Sequence, residues 1–181
     1  MKDHLIIGGI KMLLQGLEVN VNDSDYIKTP HRVLEYYKEM FNHKPAFPPV
    51  YEETYSELIV ARHHQAWTIC PHHLLPVRLD ISLGYIPRGG VVGLSKLMRI
   101  ADHCLNAPIK QETLTDDIAN AVMGRIKPSP IGAGVIIKGE HACMQMRGVR
   151  TSANVVTSAM RGAMFDKPEA RSEFLQLVNG H

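Results

Sequence analysis

The chain has 181 residues, 45% of them hydrophobic and 21% charged, with a formal net charge of +2. That length suits one domain with a small appendage, and the composition excludes a disordered or collagen-like chain. The near-neutral balance also excludes a global basic field for nucleic acid, so any anion would rest on a few local cations.

In chain order, apolar side chains at helical spacing over residues 5–17 predict a first helix, weakened by Gly8 and Gly9. Residues 20–28 are polar and read as a loop. Thr29 before Pro30 is a helix start, with Thr as N-cap and Pro at the first position, for a helix running to about residue 41. Pro45, Pro48 and Pro49 make an extended linker, which separates a helical N-terminal region (1–50) from a second domain (51–181). Residues 58–61 and 67–69 are short strand candidates, and the alternation over 77–86 is the clearest strand. Helical periodicity returns over 95–105, with Leu94, Leu97, Met98, Ala101 and Leu105 on one side. A second helix over 112–126 turns Leu114, Ile118 and Val122 inward and is broken by Pro128 and Pro130. Residues 134–146 read as one long strand, and Asp166, Pro168 and Glu169 signal a last helix over 168–178. Strand, two helices, strand is the order of an α+β fold with a mostly antiparallel sheet.

No apolar run reaches the roughly 18 residues of a membrane span. Residues 1–20 lack the pattern of a secretory leader, so the expected setting is cytoplasmic. The three cysteines are an odd number, which favours metal or catalytic use over a disulfide framework. The strongest local signal is Cys70-Pro71-His72-His73, because Cys and His three apart in a turn can aim two soft ligands at one ion. The second signal is His141-Ala142-Cys143, which on a strand would line one surface together. Pairing the two segments joins two thiolates with one to three imidazoles. Catalytic zinc takes three protein ligands plus a water. Cys70, His73 and Cys143 supply three, and His72 and His141 remain as candidate proton carriers. The competing reading makes Cys143 a small buried hydrophobe and the histidines caps of the sheet edge. Cys104 sits on an apolar helix side and reads as core.

Lys96 and Arg99 share a helix face, and Ser95 sits in that helix's first turn, where unpaired N–H groups attract anions. Arg147 and Arg150 follow Cys143 and could clamp phosphate, although a solvated face also explains such pairs. Gln111 and Glu112 open a helix, where Glu is usually dipole chemistry but could also accept two N–H bonds from a guanine edge.

Together these residues resemble the GTP cyclohydrolase I family. Five segments carry the likeness, in the family's order. They are Thr29-Pro30-His31-Arg32; Cys70-Pro71-His72-His73-Leu74-Leu75-Pro76; Tyr85-Ile86-Pro87 with Gly93 through Ile100; Gln111-Glu112-Thr113-Leu114-Thr115; and Glu140 through Met144, continuing past Arg147 and Arg150 to Thr157-Ser158-Ala159. The resemblance implies a tunnelling fold over residues 51–181: an antiparallel sheet with two helices on one face, assembled into a ring. The ring would be a homodecamer with sites at subunit interfaces. It implies one zinc per subunit on Cys70, His73 and Cys143, with His72 and His141 transferring protons and Ser95 serving the later rearrangement. Glu112 would hold the guanine with Gln111 beside it, and Arg32, Lys96, Arg99 and Arg147 would hold the triphosphate. The implied reaction opens the guanine ring of GTP, releases formate and rearranges to 7,8-dihydroneopterin triphosphate, which could serve tetrahydrofolate biosynthesis, a reduced pterin cofactor or a deazaguanine base. The alternative is another tunnelling-fold purine or pterin enzyme, such as one that stops at the ring-opened formamide. Pro71 departs from the family, which usually has Glu there, and so does Thr151-Ser152-Ala153-Asn154.

Overall fold

The computed structural model describes residues 1–42, 46, 50–52 and 55–180. The chain forms two compact units, Met1–Asn42 and His43–His181. The proline-rich stretch expected to be a linker lies almost wholly outside the described residues. None of the helices is long and apolar enough to cross a membrane, among the described residues.

The first unit is a helix pair, α1 (Asp3–Gly16) and α2 (Thr29–Asn42). Leu14 and Leu34 are its buried residues of large volume, and Lys38 ties the helices by its 2.8 Å ion pair with Asp3. Helix α2 starts one residue earlier than expected. The Lys28 carbonyl accepts the first helical bond, from the Arg32 N–H at 3.1 Å. Thr29 therefore lies inside the helix and does not cap it, and Pro30 still falls in the first turn, where no N–H is needed.

The second unit begins with a two-stranded ribbon, β1 (Val50–Glu52) against β4 (Gly90–Val92). Its main sheet contains β2 (Ile59–Ile69), β3 (Pro76–Ile86), β5 (Gly132–His141) and β6 (Val155–Gly162), in the order β2-β3-β5-β6. Every neighbouring pair is antiparallel. The two short strands expected at 58–61 and 67–69 are one strand, β2. A register irregularity between Ala61 and His64 interrupts its alternation, and His63 takes a left-handed φ of 63°.

Helices α3 (Leu94–Cys104) and α4 (Gln111–Arg125) cover one face of the sheet. Leu79, Ile81, Leu83 and Tyr85 of β3 meet Leu97, Ala101, Leu114, Ile118 and Val122 there, all buried. Cys104 belongs to this core, and burial pushes its thiol up to about 11, so it stays a neutral packing group. The opposite face has a smaller core. The short helix α6 (Ala163–Asp166) and the terminal helix α7 (Pro168–Asn179) set Met164, Phe174 and Val178 against Ile136 and Met160. Phe174 lies in a hollow made by Gly84 and Gly134, which face each other across β3 and β5. A Cβ on Gly134 would come within 2.9 Å of the ring.

The strand expected over 134–146 stops at His141. Residues Ala142–Gln145 form the helical turn α5, with the Met146 N–H donating to the Ala142 carbonyl at 2.9 Å. Cys143 is thus on a turn and not on the strand that carries His141, and strand alternation is not what brings the two together.

Candidate active site

The β2–β3 connection is a tight loop. The Cys70 N–H donates to the Leu75 carbonyl and the Leu74 N–H to the Cys70 carbonyl, both at 2.9 Å. Pro71 fits because its missing N–H is not required there. Leu74 closes the turn at a φ of 53°, a left-handed conformation that costs a non-glycine residue roughly 1 kcal/mol. One helical turn between Cys70 and His73 sets the Cys70 Sγ 3.7 Å from the His73 Nδ1. The register Val77↔His141 draws the end of β5, and with it α5, alongside this loop. The Cys143 Sγ then lies 3.9 Å from the Cys70 Sγ.

These separations test whether a metal fits. Tetrahedral zinc with ordinary Zn–S and Zn–N bonds needs about 3.8 Å between two sulfurs and about 3.6 Å between sulfur and nitrogen. The observed 3.9 and 3.7 Å match. All three donor atoms lie within 4.8 Å of one another, and both cysteines are free thiols. Burial raises the Cys143 thiol, with the neighbouring Cys70 thiol adding to the effect. Two thiols this close cannot both ionise without a cation between them. Burial and chemistry of the donor set therefore favour a soft divalent ion with one coordination position left over.

The thiols open into a cavity of ≈ 330 Å³, a volume in the range of small-molecule sites. Its polar lining comprises Thr68, Cys70, His72, His73, Lys110, Gln111, Glu112, His141 and Cys143, and Pro71, Val77, Ile109, Met144 and Val155 form apolar walls. The His72 Nδ1 is 3.8 Å from the Cys70 Sγ, with its ring exposed. His141 is half-buried, and that burial lowers its pKa against the opposing pull of Glu112. Glu112 is exposed on the outer side of the first turn of α4. Arg147 lies beside this set, its Nη1 2.6 Å from the His73 Nε2.

Gln111 lines the same cavity from a buried position. It is 3% exposed. Its amide nitrogen has the carbonyls of Ile137 and Val155 and the Thr157 hydroxyl within 3.1 Å, and its oxygen is 2.9 Å from the His141 Nε2. Among the described residues of the second unit, Arg147 is the expected cation that reaches the metal-ligand set. Lys96 is half-buried and Arg99 exposed on α3, and neither lines the cavity. Ser95 lies in the first turn of α3, with its side chain outside the description. Arg32 is on α2 of the N-terminal unit, where it lines a shallow depression with Lys28, His31 and Glu35. Sequence reasoning did not assign roles to Gly139, Thr115 and Thr157, which seat Gln111. A glycine inside a strand, here Gly139 in β5, was the available signal for a close approach.

Residues 6–179 match the family described as GTP cyclohydrolase I. The chain is 36% identical over 180 residues to the GTP cyclohydrolase 1 of Rhodopirellula baltica, covering 96% of this chain and 78% of that protein. It is 36% identical to the GTP cyclohydrolase 1 of a Hydrogenobaculum species, covering 96% of each. Among solved structures, the apo form of the archaeosine synthase QueF-Like aligns at a TM-score of 0.47 and 20% identity, over 58% of this chain and 93% of that one.

Proposed function

The chain belongs to the GTP cyclohydrolase I family, and we propose that its cavity opens the guanine ring of GTP by zinc-dependent hydrolysis, releases formate and yields 7,8-dihydroneopterin triphosphate. The observation that carries this reading is the convergence of Cys70, His73 and Cys143 on one wall of a cavity that Glu112 and His141 also line.

Cys70, His73 and Cys143 would hold the zinc. When bound it supplies Lewis acidity and a water acidic enough to ionise near neutral pH. Glu112, exposed into the cavity, accepts two N–H bonds from the guanine edge. An adenine offers that edge differently and leaves the carboxylate unpaired, which gives selectivity. Burial lowers the His141 pKa and so favours its neutral form, which can take up a proton and return it as the imidazole ring of guanine opens. His72, exposed across the cavity, is the second carrier. Val77, Ile109 and Val155 exclude water from the base. Ser95 serves the rearrangement of the opened ribose.

Arg147, with Lys96, Arg99 and Arg32, holds the triphosphate. Lys96 and Arg99 do not line the cavity of their own chain, which supports sites shared between subunits of a homo-oligomeric ring, read here as a decamer with one zinc per subunit. The test incubates zinc-loaded protein with GTP and follows formate and the fluorescent oxidised pterin together. Both products are expected. Formate without pterin would reduce the reaction to ring opening, and neither product would refute the reading.

A further inference from the structure

The surroundings of Gln111 fix which end of its amide is which. Three acceptors, the Ile137 and Val155 carbonyls and the Thr157 Oγ1, crowd one end at 3.0–3.1 Å. Only the NH₂ group can face them. The hydroxyls agree. Thr115 donates its proton to the Gln111 backbone carbonyl at 2.7 Å. Its 2.6 Å contact with Thr157 must then take the Thr157 proton, which leaves the Thr157 oxygen to accept from the amide. The bonds run in one direction around a closed circuit, from amide to Thr157 to Thr115 to the backbone of Gln111. The amide oxygen is therefore the end that meets the His141 Nε2 at 2.9 Å, and an amide oxygen only accepts.

We propose that Gln111 is a positioning residue that holds His141 in its Nε2–H form, so that every proton His141 exchanges passes through Nδ1. Among the described residues no protein group bonds Nδ1, which leaves it as the working nitrogen of a ring that lines the cavity. The absence of a side chain at Gly139 makes this possible. A Cβ there would stand 2.0 Å from the Gln111 oxygen and 3.1 Å from the His141 Nε2. Gln111 thereby acts through His141 and does not touch the purine, in contrast to Glu112, which follows it in the chain. This inference rests on the proposed reaction for its catalytic meaning, but not for its geometry.

The test compares zinc-loaded wild type with Gln111→Met and with Thr157→Val, the milder variant that removes only one partner of the amide. Nitrogen-15 spectra of histidine-labelled protein report the tautomer of His141, assigned with His141→Gln. The wild type should show Nε2–H alone, and Gln111→Met a mixture of both forms. In formate release, Gln111→Met should lower kcat roughly 10- to 100-fold, as loss of an orienting partner does, while KM for GTP stays within about threefold. Thr157→Val should shift both readouts in the same direction by less. An unchanged tautomer in both variants would overturn the proposal, and so would a raised KM with kcat intact, which marks substrate contact. If wild type released no formate, the proposed reaction would fail while the spectra still judged the positioning. If Gln111→Met did not fold, the spectra of Thr157→Val would decide.

Discussion

Gly139→Ala is a one-methyl test of how the site is built. The added Cβ would lie 2.0 Å from the Gln111 oxygen and 2.9 Å from its Cδ. Real Cβ atoms essentially never approach closer than 3.0 Å, so the oxygen must withdraw by at least about 1 Å. Gly139 is paired on both sides, to Leu79 and Val155, so the strand cannot yield instead. A shift of that size takes the amide out of reach of its partners at 2.9–3.1 Å. Losing two or three bonds among buried groups costs about 3 kcal/mol. In a protein of this size that lowers Tm by about 6–12 °C. His141 loses its orienting acceptor at the same time, and misplacing a catalytic group by about 1 Å can slow turnover on the order of 100-fold. Thermal unfolding and the rate of formate release measure the two effects on one sample. A variant with wild-type Tm and wild-type kcat would show that Gln111 is not seated over Gly139 and would refute the reasoning.

Three other outcomes follow from the same residues. Cys143→Ser should leave well under one zinc per chain after dialysis, read by elemental analysis, because an alcohol does not ionise to replace the thiolate. Glu112→Gln should lower kcat/KM for GTP by about 100-fold or more with the fold intact, and unchanged turnover would remove Glu112 from guanine recognition. Arg161 on β6 bonds Asp116 on α4, and that bond first of all holds the Asp116 carboxyl below its ordinary value of 3.8. A depressed carboxyl stabilises the folded state above that value and ceases to do so as pH falls through the folded one. The stability gap between wild type and Arg161→Leu should therefore narrow below about pH 4 in urea titrations, with the remainder due to the Asn120 contact.

The sequence revealed the core elements where periodicity is undisturbed. The inward residues Leu114, Ile118 and Val122 are all fully buried, and β3 and α3 fall within a residue of their expected bounds. It failed where a local event breaks the period. Strand β2 lies at the sheet edge, so Arg62 and His63 are exposed, and the irregularity beside them hid a continuous strand as two fragments. The strand carrying His141 reads straight through to Met146, because nothing in Ala142-Cys143-Met144 announces a helical turn. Cover on the second face by α7 depends on two glycines meeting across strands, a coincidence of register that no single segment contains. In the site, residue types and spacing were enough to bring Cys70, His73 and Cys143 to attention. They set Gln111 at the start of a helix but not its partners, which come from Ile137, Val155 and Thr157, far along the chain.

Gln111 and Glu112 are consecutive residues in the first turn of one helix, one buried against the sheet and the other exposed. Successive residues of a helix are turned by about 100°. Deleting or inserting a single residue between the Ile109 contact with β2 and the start of α4 would rotate the pair together. A deletion would drive the carboxylate toward the place of the amide, and an insertion would carry the amide toward the place of the carboxylate. This short stretch should accordingly hold a fixed length wherever the site works, even where its residue types drift. By contrast, the chain between α4 and β5 can lengthen or shorten without disturbing either residue.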